Sequence, residues 1–156
     1  MKEPALLRLH RRITRWPAGT WLFSRAVCFR APYFASISPR ITVLEPGRCE
    51  VRIADRRRVH NHIGTVHAIA LCNMAELAAG LMTDVTIPTT MRWIPKGMQV
   101  EYLKKAVGPM RAVATPLEAP REAAEGYELP VEVVVTDRGG ETVFTARIRM
   151  WVSPRR

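Results

Sequence analysis

The chain has 156 residues, of which 47% are apolar and 24% charged, a composition typical of a globular domain rather than a disordered segment. Its length suits a single domain with a hydrophobic core. No stretch reaches the roughly 18 uncharged apolar residues that a membrane span requires. Asn73 and Glu76 interrupt the most apolar segment, residues 66–82, and no long apolar run follows Met1. Neither stable membrane insertion nor a secretory signal is therefore predicted.

The net charge of +10 leaves nucleic acid, anionic membranes and phosphorylated small molecules open as partners. Nucleic-acid binders usually cluster their basic residues, whereas here they spread from Lys2 to Arg156 with one short run, Arg56–Arg58. We therefore predict no nucleic-acid partner. Three scattered cysteines without paired spacing predict reduced thiols and a cytoplasmic location: Cys28, Cys49 and Cys72.

Residues 1–35 are predicted to form an N-terminal helical extension. Its first helix carries apolar residues at helical spacing, with arginines on the other side: Leu6, Leu9, Ile13 and Trp16. The segment Trp16–Gly19 ends this pattern, and a second helix is predicted from Thr20 to Arg30, before Pro32. A basic amphipathic helix could lie on a membrane surface. Packing against the body of the same protein is the favoured interpretation.

Residues 36–156 are predicted to form one α+β domain in which six strands accompany one long helix. The last strand alternates apolar and polar residues, as expected for an antiparallel sheet with one buried face. Tight turns are predicted at Pro46-Gly47 and at residues 137–140. The predicted strands are Ile41–Glu45, Arg48–Ile53, Met98–Lys105, Met110–Glu118, Leu129–Thr136 and Thr142–Val152. Hairpin-connected strands that outnumber helices favour α+β over a parallel α/β fold.

The predicted helix from Val66 to Met82 is apolar on all sides, which indicates a buried helix. Small residues keep it slim enough for a sheet to wrap closely around it. Asn73 and Glu76 are exceptions in this setting. A buried carboxylate without a partner is costly, so Glu76 is either functional or part of a structural polar network, and burial alone leaves both open.

The segment before this helix, residues 59–68, holds three histidines and Asn61. A helix amino terminus has unpaired N–H groups and a favourable dipole, so developing negative charge is stabilised there. The spacing Asn61-x5-His67-Ala68-x7-Glu76 resembles the Asn-x5-His-Gly-x7-Asp/Glu signature of hotdog-fold acyl-CoA thioesterases, including the phenylacetate-pathway type. The resemblance covers about residues 38–152, and it is strongest to a poorly characterised branch of that superfamily, a domain of unknown function.

This resemblance implies a hotdog fold, in which an antiparallel sheet wraps one long central helix, and hydrolysis of an acyl thioester such as acyl-CoA. By analogy, Asn61 and His67 shape the carbonyl and water site, and the Ala68 N–H polarises the thioester oxygen. Glu76 would be the nucleophile or general base. The family usually has Gly after the His, so Ala68 is a departure that keeps the backbone donor and adds a methyl group beside the substrate path.

Ala68 and Glu76 lie eight residues apart on one helix, about 12 Å along its axis. A reacting carbonyl must lie about 3 Å from both its oxyanion donor and its base. One chain therefore cannot supply both groups to the same carbonyl, whereas two antiparallel copies of the helix can. We predict a homodimer with two composite sites, which could pair further into a tetramer.

Six more residues are candidate substrate-binding groups: Gly64, Thr65, Leu71, Asn73, Lys104 and Lys105. The lysines, with Arg58, are candidates for the phosphates of CoA. Pocket volume around Leu71, Met74 and residues 91–98 would set acyl preference. The prediction includes no cofactor beyond CoA as part of the substrate.

Three alternatives remain. His60, His62, His67 and Cys72 could suggest a metal site, although their spacing matches no familiar set, and none is predicted. The gap between His62 and Glu76 resembles the dyad of hotdog acyl-thioester dehydratases, but the proline of their His-Phe-Pro-Gly loop is missing. A non-catalytic acyl-binding protein is the third alternative, because Ala68 replaces the usual Gly.

Overall fold

A six-stranded antiparallel sheet wraps around one 19-residue helix in the computed structural model, which describes residues 3–155. The helices are α1 (Ala5–Ile13), α2 (Gly19–Arg30) and α3 (Ala68–Thr86), with 3-10 turns at Pro32–Ile37 and Arg57–Val59. The strands are β1 (Arg40–Glu45), β2 (Arg48–Ile53), β3 (Met91–Tyr102), β4 (Met110–Pro116), β5 (Tyr127–Thr136) and β6 (Thr142–Pro154). The predicted α+β architecture is confirmed.

The strands lie in the order β1-β2-β4-β5-β6-β3, so β1 and β3 form the two edges of the sheet. On β6, Phe144, Ala146, Ile148, Met150 and Val152 are all buried, while the residues between them are exposed or half-buried. This alternation turns one face of the sheet towards α3, as predicted. By length and composition α3 could cross a membrane, yet 67% of this stretch is buried inside the protein itself, as in a core helix.

Several element boundaries differ from the sequence prediction, and the start of β3 differs most. β3 begins at Met91 rather than Met98, and its register shifts between Pro95 and Gly97. Both residue types weaken a strand, but an edge strand tolerates them at an irregularity of this kind. α3 begins at Ala68 because Val66 is held outside it, in a bridge with His60 and a 2.8 Å hydrogen bond from its N–H to the carbonyl of Ala106.

The N-terminal helices pack against the body of the protein, as favoured from the sequence. Leu7 of α1 and Phe23 of α2 belong to the same hydrophobic core as the sheet and α3. The Ser24 hydroxyl accepts a 2.8 Å hydrogen bond from the N–H of Ile41, which attaches α2 to the edge strand β1. The division of the chain at residues 35 and 36 stays a prediction, since one core spans both parts.

Glu50 on β2 is a buried carboxylate with only 4% of its surface exposed. It accepts hydrogen bonds from Arg111 at 2.6 Å, Arg52 at 2.9 Å and the Thr42 hydroxyl at 3.0 Å. The hydrogen bond from Arg111 is the largest cause that lowers the pKa of Glu50 from 4.5 to about 2, with Arg52 and Thr42 adding to it against the effect of burial. This cluster links the three strands β1, β2 and β4.

Replacing Glu50 by Gln is expected to lower the free energy of unfolding by about 2 kcal/mol at neutral pH, because charge-assisted hydrogen bonds are lost. Since the pKa is depressed in the folded state, the difference between wild type and variant should be full above pH 4.5 and shrink as the pH falls towards 2. Urea unfolding over this range measures it. Glu128→Gln, which removes an exposed pair with Arg149, is the matched control and should change stability by less than about 1 kcal/mol. Equal effects of the two variants would contradict the role of Glu50.

Candidate functional site

The loop before α3 is closed by its own backbone. The Asn61 N–H donates to the Thr65 carbonyl at 2.8 Å, and the Gly64 N–H donates to the Asn61 carbonyl at 3.2 Å. Gly64 has a φ of +78°, a conformation that favours glycine. The Val66 N–H bond to Ala106 also holds the loop beside the segment that follows β3. The loop is therefore fixed relative to the first turn of α3.

The Asn61 side chain organises this loop. Its Oδ1 accepts hydrogen bonds from the N–H of Ile63 at 3.1 Å and of Thr65 at 3.0 Å. Its Nδ2 donates to the Thr65 hydroxyl at 2.8 Å, which leaves one amide hydrogen for another acceptor. Gly64 and Thr65, predicted to bind substrate, are thus parts of the structure that Asn61 holds in place.

His67 is the N-cap of α3. Its Nδ1 accepts a 3.0 Å hydrogen bond from the N–H of Ile69, so a neutral ring carries its hydrogen on Nε2. The Ala68 N–H, the first of the helix, has no hydrogen-bond acceptor within residues 3–155. A free amide at the positive end of a 19-residue helix can stabilise an anion or a developing oxyanion.

Glu76 is exposed in the single chain, so the prediction that it is buried there is wrong. The sheet covers most of α3 but leaves open a stripe that includes Ile69, which is 55% exposed, and the half-buried Cys72. These positions are spaced by three and four residues and share one helix face with Glu76. Within residues 3–155 the Glu76 carboxylate makes no hydrogen bond or ion pair. The acid is therefore free to act on a molecule that reaches this face.

Two cavities meet at Glu76. A cavity of about 600 Å³ runs along α3 towards Asp84 and is enclosed on the other side by α1 and α2. A smaller one of about 280 Å³ lies between Glu76 and the irregular part of β3, where Lys96 and Met98 contribute to its lining. Glu76 is the residue common to both.

The predicted substrate-binding residues separate into different environments. Leu71 and Met74 are core residues, 2% and 0% exposed, and line neither of the cavities at Glu76. Asn73 is buried, donates to the Ser36 hydroxyl at 3.0 Å, and has an Oδ1 without a hydrogen-bond partner in the described part of the chain. Within residues 91–98, which were predicted to influence acyl preference, Trp93 lines the large cavity.

Lys104 and Lys105 lie just before Ala106, which contacts the site loop at Val66. Both lysines are exposed, and the Lys104 ammonium is 2.6 Å from a carboxylate oxygen of Glu141. The structure therefore brings the lysines to the amino end of α3, on the same chain as Ala68.

The other histidines do not assemble around Glu76. His60 pairs with Asp55, and His62 is exposed. Between residues 3 and 155, no three His, Cys, Asp or Glu side chains lie close enough together to hold a metal ion.

Cys72, one turn before Glu76 on the same face, is linked to β3 by a 3.3 Å contact between its Sγ and the Tyr102 hydroxyl. This hydrogen bond and partial burial raise the pKa of Tyr102 to about 12, so the phenol stays protonated.

Sequence reasoning missed the contribution of the N-terminal helices to the large cavity. Leu6 and Leu9 of α1 and Val27 of α2 line it, together with Phe34. The helical spacing of Leu6 and Leu9 was visible, but it predicts only a packed face and not a cavity.

Solved structures with the same architecture were found in a structural comparison. One crystal structure from a structural genomics programme has 47% sequence identity and a TM-score of 0.82, covering 96% of this chain and 99% of that one. A Pseudomonas aeruginosa protein, described as of unknown function and a "Probable Thioesterase", has 26% identity and a TM-score of 0.77, covering 90% and 97%. A Silicibacter pomeroyi thioesterase family protein, at 19% identity and a TM-score of 0.71 over 85% and 96%, shows the fold alone. A search of curated proteins gave no match.

An antiparallel sheet around one long helix, shared with these structures, defines a hotdog-fold protein, as the motif had predicted. The sequence model of the family described as "Domain of unknown function (DUF4442)" matches residues 19–152. The chain belongs to this family.

The role of Asn61 in the loop leads to a prediction. Asn61→Ala removes the acceptor of the Ile63 and Thr65 amides, whose hydrogen exchange should accelerate by about tenfold, the value of one net hydrogen bond. Asn61→Asp keeps a carboxylate oxygen for both amides and should leave their protection close to that of the wild type. NMR-detected hydrogen exchange measures both. Unchanged protection in the Ala variant would show that the backbone alone holds the loop.

Proposed function

We propose that this protein hydrolyses acyl thioesters, with acyl-CoA as substrate, at two sites shared across a homodimer in the cytoplasm. The observation that carries the proposal is the position of Glu76: an unpaired carboxylate on an otherwise apolar helix face, where two cavities meet. The printed description of the Pseudomonas aeruginosa relative, "Probable Thioesterase", supports the reaction class. Three free cysteines fit a reducing compartment.

The composite site follows from the rigidity of α3. The free Ala68 N–H and the Glu76 carboxylate are about 12 Å apart along the same helix axis, so they cannot contact one carbonyl. The open face of α3 and the free edge of the 12-residue strand β3 adjoin each other through the Cys72–Tyr102 contact. A second copy that pairs there, antiparallel to the first, would bring its Ala68 amide to Glu76. Two such dimers could pair into a tetramer.

In the proposed reaction the thioester oxygen accepts a hydrogen bond from the Ala68 N–H of one protomer. Glu76 of its partner takes a proton from water as the water oxygen bonds to the carbonyl carbon. The amide stabilises the oxyanion that develops, and the helix dipole adds to this effect. The C–S bond then breaks, the thiolate takes up the proton, and a carboxylic acid and a free thiol are released. Lys104 and Lys105, beside the donor loop, are proposed to contact CoA phosphates.

A non-catalytic acyl-binding protein is the second candidate, favoured by one observation: Ala68 stands where the thioesterase signature that this sequence resembles has Gly. Its methyl group lies beside the amide that the reaction uses. Binding of acyl-CoA without thiol release would establish this candidate, and a change in enoyl absorbance without thiol release would instead indicate a dehydratase or hydratase.

Glu76→Gln is expected to reduce thiol release by about 10²–10⁴-fold, the usual contribution of a general base. The assay follows free thiol over a panel of acyl-CoAs. Glu132→Gln, which removes an exposed acid of β5 away from the site, is the control and should retain full turnover. Full activity of the Glu76 variant would place the chemistry elsewhere.

Ala68→Pro tests the oxyanion donor without breaking the helix. Ala68 is the first helical residue, where proline is well tolerated, and His67 already has the extended conformation that precedes proline. Losing this N–H should lower kcat by about 10²–10³-fold, while Ala68→Gly, which keeps it, should stay active. Thermal unfolding checks that the fold is intact.

The two inactive variants together test the shared site. If Glu76→Gln and Ala68→Pro chains are co-refolded, about half of the dimers pair unlike chains, and each of these has one of two sites intact. Roughly a quarter of wild-type activity should therefore return. Sedimentation should show a dimer of the 17.6 kDa chain. An active monomer, or no recovery on mixing, would refute the composite site.

A further inference from the structure

The large cavity at Glu76 is built in part by residues outside the family match. Leu6 and Leu9 precede residue 19, where that match begins, and both line the cavity opposite α3. We propose that the N-terminal helices α1 and α2 form the acyl-chain subsite and select acyl groups of medium length, about octanoyl to dodecanoyl. This inference rests on the proposed function, because it assigns the cavity to the acyl part of the thioester.

The lining chemistry fits a hydrocarbon chain. Most of the wall is aliphatic or aromatic and comes from α1, α2 and α3. The charged residues are Glu76, Asp84 and Arg30, which are exposed or half-buried. An apolar wall with few polar groups is the common form of a small-molecule pocket, and about 600 Å³ is within the usual range of about 300–1,000 Å³.

The direction of the cavity sets the length of the chain. It extends along α3 from Glu76 to Asp84, eight residues or about 12 Å. An extended backbone advances about 3.5 Å per three bonds, so this distance corresponds to roughly ten carbon–carbon bonds. A butanoyl group would leave most of the cavity unfilled.

Trp93 of β3 forms a wall of the cavity between Gly80 and Asp84. Its indole N–H donates to the Asp84 carboxylate at 3.3 Å. Its ring also lies against Gly80, where an added Cβ would be only 2.8 Å from the ring atom Cη2. The close approach that glycine permits and the hydrogen bond together fix the ring, so this wall of the cavity has a defined position.

The large cavity begins at the proposed catalytic acid, which favours the acyl chain of the thioester as its occupant. Glu76 lies at one end of the cavity and also lines the smaller cavity beside β3. A thioester carbonyl at Glu76 could therefore extend its acyl chain under α1 and α2, with its sulfur on the side of the smaller cavity. The chain then buries apolar surface in proportion to its length, which favours binding of chains that reach as far as Asp84.

The test compares two leucines of equal exposure. Leu9, 45% exposed, lines the cavity, and Leu22, 48% exposed, does not. Leu9→Gln should lower kcat/KM for decanoyl-CoA by about tenfold or more, as lost apolar pocket contacts usually do, and leave butanoyl-CoA unchanged. Leu22→Gln should change neither. Equal effects on both substrates, or equal effects of both variants, would overturn the inference.

A binding arm separates this inference from the proposed hydrolysis. In the Glu76→Gln background, calorimetry should show about tenfold weaker decanoyl-CoA binding for Leu9→Gln and none of this loss for Leu22→Gln. That result without any thiol release by the wild type would refute the hydrolysis and retain the subsite. If the wild type and both leucine variants hydrolyse decanoyl-CoA and butanoyl-CoA equally well, the hydrolysis is retained and the acyl-chain subsite is refuted. If Leu9→Gln dissociates the dimer in sedimentation, the cavity is a subunit contact and the inference fails.

Discussion

The rigidity of α3 is the constraint on which the proposed function depends. A helix fixes the distance between its amino terminus and any residue along it, here about 12 Å between Ala68 and Glu76. A flexible loop could fold back to bring two such groups together, but a helix held in a sheet cannot. The free amide and the free acid are thus each incomplete within one chain. A second copy of the chain is required if the amide and the acid act on one substrate, as we propose.

The small residues of α3 allow the sheet to pack closely against it, but one face of the helix stays uncovered. Small residues such as Ala75, Ala78, Ala79 and Gly80 are buried and let the sheet approach closely. The sheet still covers only part of the helix, so Glu76 remains in contact with solvent, where an ionised carboxylate needs no partner. The apolar stripe beside it is the costly feature. Its large exposed members on α3 and β3 are Ile69, Met98 and Tyr102.

Most of the fold could be predicted from local patterns in the sequence. The surroundings of the candidate site depend on strand pairing and tertiary packing, which no local pattern contains. The alternation on β6 and the apolar run of α3 were sufficient to predict these elements. β3 was predicted too short because Pro95 and Gly97 obscure its pattern, and only pairing with β6 shows that it continues. Glu76 was predicted to be a buried acid, which is wrong for the single chain because its exposure depends on where the sheet ends. The role of Leu6 and Leu9 in a cavity likewise depends on how α1 lies over α3, which is a property of tertiary packing.

Covering the open face would change the chemistry of Glu76 as well as the free energy of association. On the proposed dimer, the exposed apolar side chains around the acid would be removed from water, which favours pairing in proportion to their area. The same burial would lower the local dielectric constant, so the interaction between the Ala68 amide and an oxyanion would become stronger than in water. The carboxylate would lose hydration at the same time. One association step would therefore supply both the missing donor and the environment in which that donor is effective, and this is why an acid that is unremarkable in the single chain can be the base of the assembled site.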